Sequence, residues 1–137
     1  MTDNMQKQPE ILIVDDILIN RMLLTDILTS LGCRCTKAHN GEEALSMLRD
    51  RPFDMILMDL EMPVMNGFET TAAIRAMEGE KSQTPIIAIT AHNADEIADG
   101  LAASGFTGVI TKPFLISNIE KLVDEYCRWS QKPLRGN

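Results

Sequence analysis

Five short apolar runs alternate with longer stretches of helical spacing along this chain of 137 residues. Alternation of this kind is typical of βα units, in which helices cover a parallel sheet. The pattern therefore predicts an α/β fold with strands over residues 11–14, 33–38, 55–58, 86–89 and 109–111.

The predicted strands differ in their polar content. The runs that begin at Ile11, Met55 and Ile86 are apolar throughout, as expected of strands covered on both faces, whereas residues 33–38 alternate between apolar and polar. An alternating strand has a face in contact with solvent, so we expect the second strand to lie at an edge of the sheet.

Helix starts are marked by a polar residue followed three positions later by Glu, the capping-box pattern. The first helix lacks this pattern and is predicted over residues 18–31 from its apolar spacing and from Gly32, which would end it. Four segments fit the pattern: Asn40-Gly-Glu-Glu43, Asn66-Gly-Phe-Glu69, Asn93-Ala-Asp-Glu96 and Ser117-Asn-Ile-Glu120.

The fourth predicted helix, over about residues 94–104, has an apolar face of small side chains and contains Gly100. Its face consists of Ile97, Ala98, Leu101 and Ala102. Small side chains bury little area, and a glycine inside a helix costs roughly 1 kcal/mol relative to Ala. We therefore expect this helix to be the least firmly held.

The charge of the chain limits its direct partners. Its net charge is -7 and its pI is near 4.7, which argues against a nucleic-acid surface because such surfaces need Lys and Arg contacts with phosphate. No apolar run approaches the roughly 20 residues of a membrane span, and residues 1–10 are too polar for a signal peptide. We expect a cytoplasmic protein without a membrane segment.

Length and apolar content predict one domain. The chain is 45% apolar, which is enough to build a single core at this length. We expect an N-terminal extension over residues 1–9, a domain over residues 10–129 and a flexible tail over residues 130–137. The three cysteines are read as reduced thiols, because Cys33-Arg-Cys35 alternates like a strand and lacks metal-ligand spacing.

Charged residues follow several predicted strands at their carboxyl ends. Asp15 and Asp16 follow the first strand, Asp59 follows the third, and Lys112 follows the fifth. Thr90 follows the fourth strand in the same way. Open α/β sheets bind ligands at this edge, so the pattern predicts a site that contains all five side chains.

Three carboxylates that face one lysine suggest a metal and a phosphoryl group. A carboxylate can attack a phosphoryl group to form an acyl phosphate, but the incoming group is negatively charged. Mg²⁺ prefers carboxylate oxygens and bridges to phosphate oxygens, and a lysine adds a second positive centre. Thr90 can donate a hydrogen bond to a phosphoryl oxygen.

Each residue alone also has an ordinary explanation. An Asp after a strand is commonly a turn or cap residue. Thr90 alone fits a strand end, and Lys112 alone fits a solvated surface charge. Their joint position at strand carboxyl ends favours the functional interpretation.

Five motifs occur in order over about residues 10–128 and together resemble the receiver domains of response regulators in two-component and phosphorelay signalling. They are Ile-Leu-Ile-Val-Asp15-Asp16, Met-Asp59-Leu-Glu-Met-Pro63, Asn66-Gly67, Ile-Ala-Ile-Thr90-Ala91 and Thr-Lys112-Pro113-Phe114. The resemblance implies a flavodoxin-like (βα)₅ three-layer sandwich whose parallel five-stranded sheet has the order 2-1-3-4-5.

The resemblance also implies roles for the site residues. Asp59 would accept a phosphoryl group from a phosphohistidine on a sensor histidine kinase or a histidine phosphotransfer protein. Asp16 and Asp59 would ligate Mg²⁺ directly, Asp15 would act mainly through water, and the backbone carbonyl of Glu61 would complete the protein ligands. Thr90 and Lys112 would bind phosphoryl oxygens.

Such a domain is not an enzyme in the usual sense, because it catalyses its own phosphorylation and dephosphorylation and turns over no external substrate. Its phosphorylation would change a protein-binding surface made by the fourth helix, fifth strand and fifth helix. The peptide bond before Pro113 is usually cis in this family.

One position departs from the family pattern. Val109 occupies the place where receivers usually have Tyr or Phe, the aromatic that turns inward on activation, and Phe106 nearby is expected only to pack. Glu61 and His92 lie two residues beyond Asp59 and Thr90, where the family tunes phosphoryl lifetime. They fit equally well as ordinary exposed loop residues.

Other functions stay open. A phosphatase of the haloacid-dehalogenase group would need Asp at the position of Glu61, which makes it a weak alternative. A binding-only pseudo-receiver is disfavoured by the intact set of site residues, although Val109 departs from the pattern. The segment around Asp59 also resembles receivers attached to hybrid histidine kinases, and the short polar ends of the chain favour a stand-alone protein only slightly.

Overall fold

One sheet of five parallel strands forms the centre of the molecule, in the order β2-β1-β3-β4-β5. A computed structural model describes residues 8–127; the tail over residues 130–137, the end of the predicted domain and most of the predicted N-terminal extension lie outside these residues. The strands are β1 (Glu10–Val14), β2 (Arg34–Ala38), β3 (Met55–Asp59), β4 (Ile86–Thr90) and β5 (Gly108–Thr111). The predicted order, the edge position of the second strand and all five strands are confirmed.

Helices cover both faces of the sheet. The cluster beneath α1 and α5 includes Leu24, Leu28, Ile119 and Val123, and the cluster on the other face includes residues of α2, α3 and α4. The helices are α1 (Leu18–Ser30), α2 (Gly41–Asp50), α3 (Gly67–Arg75), α4 (Ala94–Ala103) and α5 (Ile116–Tyr126), with a 3₁₀ helix at Gly79–Gln83. This is the predicted three-layer sandwich.

Alternate side chains of the central strands pack into the two hydrophobic clusters on opposite faces of the sheet. Ile11 and Ile13 of β1 belong to the cluster under α1 and α5, while Leu12 and Val14 belong to the other. Successive side chains of a strand point to opposite faces. A run that is apolar at every position therefore fits a strand buried on both faces, which is what the structure has for β1, β3 and β4.

The capping-box predictions had different outcomes. The full box forms at α3, where Asn66 and Glu69 satisfy each other's backbone N–H groups. At α2, Asn40 accepts from the Glu43 amide, but the Glu43 carboxylate accepts from the His39 amide instead of closing the box.

The box predicted at Ser117 is wrong. Helix α5 begins at Ile116 with Leu115 at its cap and without a side-chain cap hydrogen bond. Ser117 therefore lies inside the first turn. The box predicted at Asn93 involves the side chain of Glu96, which lies outside the described side chains, so it stays a prediction.

Helix α4 is anchored mainly through one residue. Leu101 is buried and Ile97 is partly buried, whereas Ala98 and Ala102 of the predicted apolar face are exposed. Less apolar area is therefore buried than the spacing alone predicts. That α4 is the least firmly held helix stays a prediction.

Candidate functional site

Three carboxylates gather where β1 and β3 end. Val14 pairs with Met58 in the parallel register, so Asp15 and Asp59 occupy neighbouring positions just beyond that pair. Candidate ligand oxygens of Asp15, Asp16 and Asp59 all lie within 4.8 Å of one another. The predicted acidic cluster is therefore present in the folded chain, brought together by the register of adjacent strands.

Asp15 has a buried oxygen that suits a cation. Its side chain is fully buried, Oδ1 accepts a hydrogen bond of 2.9 Å from the Ile17 amide, and Oδ2 is buried without a hydrogen-bond partner. A buried carboxylate oxygen without a partner costs free energy. A hard cation such as Mg²⁺ would provide that partner, so this donor set fits the metal.

Asp59 combines burial with nearby negative charge. The residue is 3% exposed, and its Oδ1 accepts a hydrogen bond of 3.2 Å from the Glu61 amide. Burial is the largest cause that raises the pKa of Asp59, to about 6, and the charges of Asp15 and Asp16 add to the effect. The Glu61 amide and Lys112 oppose it by favouring the ionised form.

Thr90 and Lys112 lie at the carboxyl ends of β4 and β5, the next two strands along the sheet from β3. Thr90 is the last residue of β4 and pairs with Thr111 of β5, and the amide of Lys112 donates to the Thr90 carbonyl at 2.9 Å. The positive charge of Lys112 lowers the pKa of Asp59, so the ammonium group acts on the carboxylate. The peptide bond between Lys112 and Pro113 is cis, as the resemblance implied.

Glu61 and His92 meet at the rim of the site. Glu61 Oε2 lies 3.8 Å from His92 Nδ1, and both side chains are largely exposed. His92 also contacts Thr90: its amide donates to Thr90 Oγ1 at 3.0 Å, and its Nδ1 lies 3.2 Å from the same oxygen. Both predicted tuning residues are thus exposed, yet His92 directly contacts a site residue.

A tight loop carries the chain from β3 to α3. Val64 has φ 70°, and the Met65 amide donates to the Pro63 carbonyl at 2.7 Å, which makes a three-residue γ-turn. Gly67 then passes close to β3, because a Cβ atom there would lie 2.4 Å from the Asp59 carbonyl oxygen. The absence of a side chain at Gly67 therefore lets the start of α3 pack directly against the end of β3 at Asp59.

Arg21 is a buried cation that the sequence analysis missed. Only 6% of it is exposed, and its Nη1 donates to the carbonyl oxygen of Asp15 at 2.8 Å. It thereby ties α1 to the loop that carries the acidic pair. The available signal was its spacing, since Arg21, Leu24 and Leu28 fall on one face of the helix.

The region around Val109 has no aromatic at the usual switch position. Val109 pairs with Ala88 on β4 and is half-buried. Phe106 is 6% exposed and makes an edge-to-face contact with Phe68, with ring centroids 5.6 Å apart. The expectation that Phe106 is a packing residue agrees with this burial.

A cavity of about 990 Å³ lies between α3 and α4, next to the site. Glu61, Thr90 and His92 form part of its wall. The remaining lining residues are mostly apolar and include Met62, Phe68, Ile97 and Leu101. The His92 ring therefore borders open space as well as Thr90.

A family model for the response regulator receiver domain matches residues 11–124. The chain belongs to this family. The receiver domain is also similar to the sensor histidine kinase GacS of Pseudomonas protegens, with 34% identity over 132 residues. That match covers 95% of this chain but 14% of GacS, so the chain spans only a small part of such relatives.

Solved receiver structures share the fold. Chemotaxis protein CheY4 of Vibrio cholerae has a TM-score of 0.80 and 31% identity, covering 88% of this chain and 99% of its own. The receiver domain of sensor histidine kinase PA1611 from Pseudomonas aeruginosa has a TM-score of 0.79 and 31% identity, covering 88% and 98%. That structure is described with a magnesium ion coordinated in its active-site cleft.

These findings establish the receiver domain as a component of two-component or phosphorelay signalling with a CheY-like flavodoxin fold. The matched residues fall inside the predicted domain of residues 10–129, whose ends remain a prediction. Within residues 8–127, no helix is long and apolar enough to cross a membrane.

Proposed function

We propose that Asp59 accepts a phosphoryl group from a phosphohistidine of a sensor histidine kinase or a histidine phosphotransfer protein. The observation that carries this proposal is the arrangement around Asp59, with two carboxylates within 4.8 Å and the charge of Lys112 acting on the same group. Repulsion among the carboxylates favours a bound cation, and Lys112 offers a positive centre for the phosphoryl oxygens.

In the proposed reaction, an Asp59 carboxylate oxygen attacks the phosphorus atom, the new O–P bond forms, and the P–N bond to the donor histidine breaks. Thr90 and Lys112 donate hydrogen bonds to the phosphoryl oxygens. Asp15, Asp16, Asp59 and the Glu61 carbonyl would hold Mg²⁺. The bound ion would offset the repulsion between the acidic cluster and the incoming phosphoryl group.

Apolar side chains around the site support docking of the donor at this edge. Seven large apolar residues of α1, its preceding loop and the start of α5 are between 45% and 66% exposed. They flank the acidic pair and Lys112 along the chain. The seven are Ile17, Leu18, Ile19, Met22, Leu23, Leu115 and Ile116. An exposed apolar group of this size beside a reactive carboxylate suits a protein donor.

The output surface is proposed to be α4, β5 and α5. Among the described side chains of α4, Leu101 is the one buried apolar anchor, which suits an element that shifts when a charge is added nearby. Because position 109 is Val and not an aromatic residue, we propose that the conformational change involves Thr90 and α4 without an aromatic side chain that turns inward. The chain would act without turning over an external substrate, either by itself or as the receiver segment of a hybrid kinase.

The test uses acetyl phosphate as a small phosphoryl donor. The protein is incubated with Mg²⁺ and acetyl phosphate, and the intact mass is measured. We expect a single phosphoryl adduct that Asp59→Asn abolishes and that omission of Mg²⁺ strongly reduces. Asp50→Asn is the matched control, since Asp50 is an exposed residue at the end of α2. An adduct that persists in Asp59→Asn would refute the assignment of the acceptor.

A further inference from the structure

The hydroxyl group of Thr90 is already engaged. Thr90 is 2% exposed, its Oγ1 accepts from the His92 amide at 3.0 Å, and the same oxygen lies 3.2 Å from His92 Nδ1. A hydroxyl has one proton to donate. Oγ1 already accepts from the amide, so in the His92 tautomer that carries its hydrogen on Nε2 the Thr90 hydroxyl donates its proton to Nδ1.

The phosphoryl group needs the same proton. In the proposed function, Thr90 donates its hydroxyl hydrogen to a phosphoryl oxygen on Asp59. One proton cannot serve both acceptors, and the two acceptors lie on different residues, since Nδ1 belongs to the β4–α4 loop and the phosphoryl group would be attached to β3. Binding of the phosphoryl group therefore requires the contact between Thr90 and His92 to break.

We propose that His92 is a positioning residue that holds the Thr90 hydroxyl in the unphosphorylated protein and competes with the phosphoryl group for it. This inference rests on the proposed function of Asp59. Part of the binding free energy of the phosphoryl group is then used to break the hydrogen bond between Thr90 and His92. His92 therefore lowers the affinity of the site for the phosphoryl group.

The surroundings of His92 make its release easy. The ring is largely exposed, so water can replace Thr90 as its partner, and the cavity between α3 and α4 gives it space to turn. The competition is therefore moderate in strength.

The test compares two replacements of His92 that differ in one property. His92→Asn keeps a side-chain oxygen that can accept from Thr90, whereas His92→Phe keeps a ring without a nitrogen acceptor. The measurement is the affinity of each protein, with Mg²⁺, for beryllofluoride, which mimics a phosphoryl group on a carboxylate. We expect His92→Phe to bind about three- to tenfold more tightly than the wild type, the range of one neutral hydrogen bond, and His92→Asn to match the wild type.

A second background separates this role from a general effect on the loop. Thr90→Val keeps the shape of the side chain and removes the hydroxyl, so His92→Phe should leave the affinity unchanged in that background. The inference is overturned when His92→Phe and His92→Asn bind alike, or when the gain persists with Thr90→Val. A wild-type protein that binds no beryllofluoride at Asp59 overturns the proposed function itself.

Discussion

At the scale of single residues, burial controls the acid chemistry of Asp59. Its pKa is raised from 3.8 to about 6, mainly by burial and further by the charges of Asp15 and Asp16. The folded state therefore holds this proton more tightly than the unfolded chain. The resulting stabilisation is fully present below pH 3.8 and is lost as the pH rises through about 6.

We therefore expect the stability of the metal-free Asp59→Asn protein to depend less on pH than the stability of the wild type. Thermal melts in EDTA between pH 4 and pH 6 should show that the wild type loses stability relative to Asp59→Asn as the pH rises. A constant difference between the two proteins across this interval would contradict the raised pKa.

Val64 has an unfavourable backbone conformation that costs conformational free energy. Its φ of 70° is unfavourable for a β-branched side chain, and the side chain is 92% exposed, so little packing compensates. We expect Val64→Gly to raise the free energy of unfolding by about 1 kcal/mol, because relief of roughly 1–3 kcal/mol of strain exceeds the entropic cost of glycine. Urea unfolding measures this. Glu78→Gly, at φ -82°, is the control and should destabilise.

At the scale of elements, Leu101 is the one buried apolar side chain among the described side chains of α4, and Gly100 weakens the helix further. A Cβ atom at Gly100 would meet nothing within 4 Å, so alanine fits there. We expect Gly100→Ala to stabilise α4 by roughly 1 kcal/mol and to slow hydrogen exchange of its amides. Gly79→Ala has equally open space but φ +82°, so it should destabilise. Faster exchange in Gly100→Ala would show that α4 needs the glycine.

At the scale of the whole molecule, the sheet brings three carboxylates at the carboxyl ends of two strands close together. At an effective dielectric of about 20, two charges 4 Å apart interact by roughly 4 kcal/mol, so the metal-free cluster opposes folding. We expect saturating Mg²⁺ to raise the melting temperature, with a gain near 2.7 kcal/mol at about one hundred times the dissociation constant. The increase should be lost in Asp16→Asn. An unchanged melting temperature in the wild type would argue against the metal site.

Much of the fold follows from local patterns. The fully apolar runs at β1, β3 and β4 predict strands buried on both faces, and the alternating run predicts the edge strand β2. The predicted strands lie within one residue of the observed ones at each end. The helix starts were predicted less accurately, because α5 begins at Ile116 without the expected cap at Ser117.

The candidate site also contains residues that the sequence predicted and residues that it did not. Asp15, Asp59, Thr90 and Lys112 were recognised because each follows its own strand, and parallel strands place their carboxyl ends together. Arg21 was missed because a charged residue on an apolar helix face gives no sign of which backbone group it will meet. The contact between His92 and Thr90 was missed because it depends on how the β4–α4 loop turns back on itself.

The sequence by itself determined the order of the elements, the edge strand and the residues that meet at the site, because hydrophobic periodicity and strand ends are local properties. Only the tertiary structure decided the raised pKa of Asp59, the partnerless oxygen of Asp15, the burial of Arg21 and the hydrogen bonds of Thr90. These depend on which groups from distant parts of the chain surround a residue and exclude water from it.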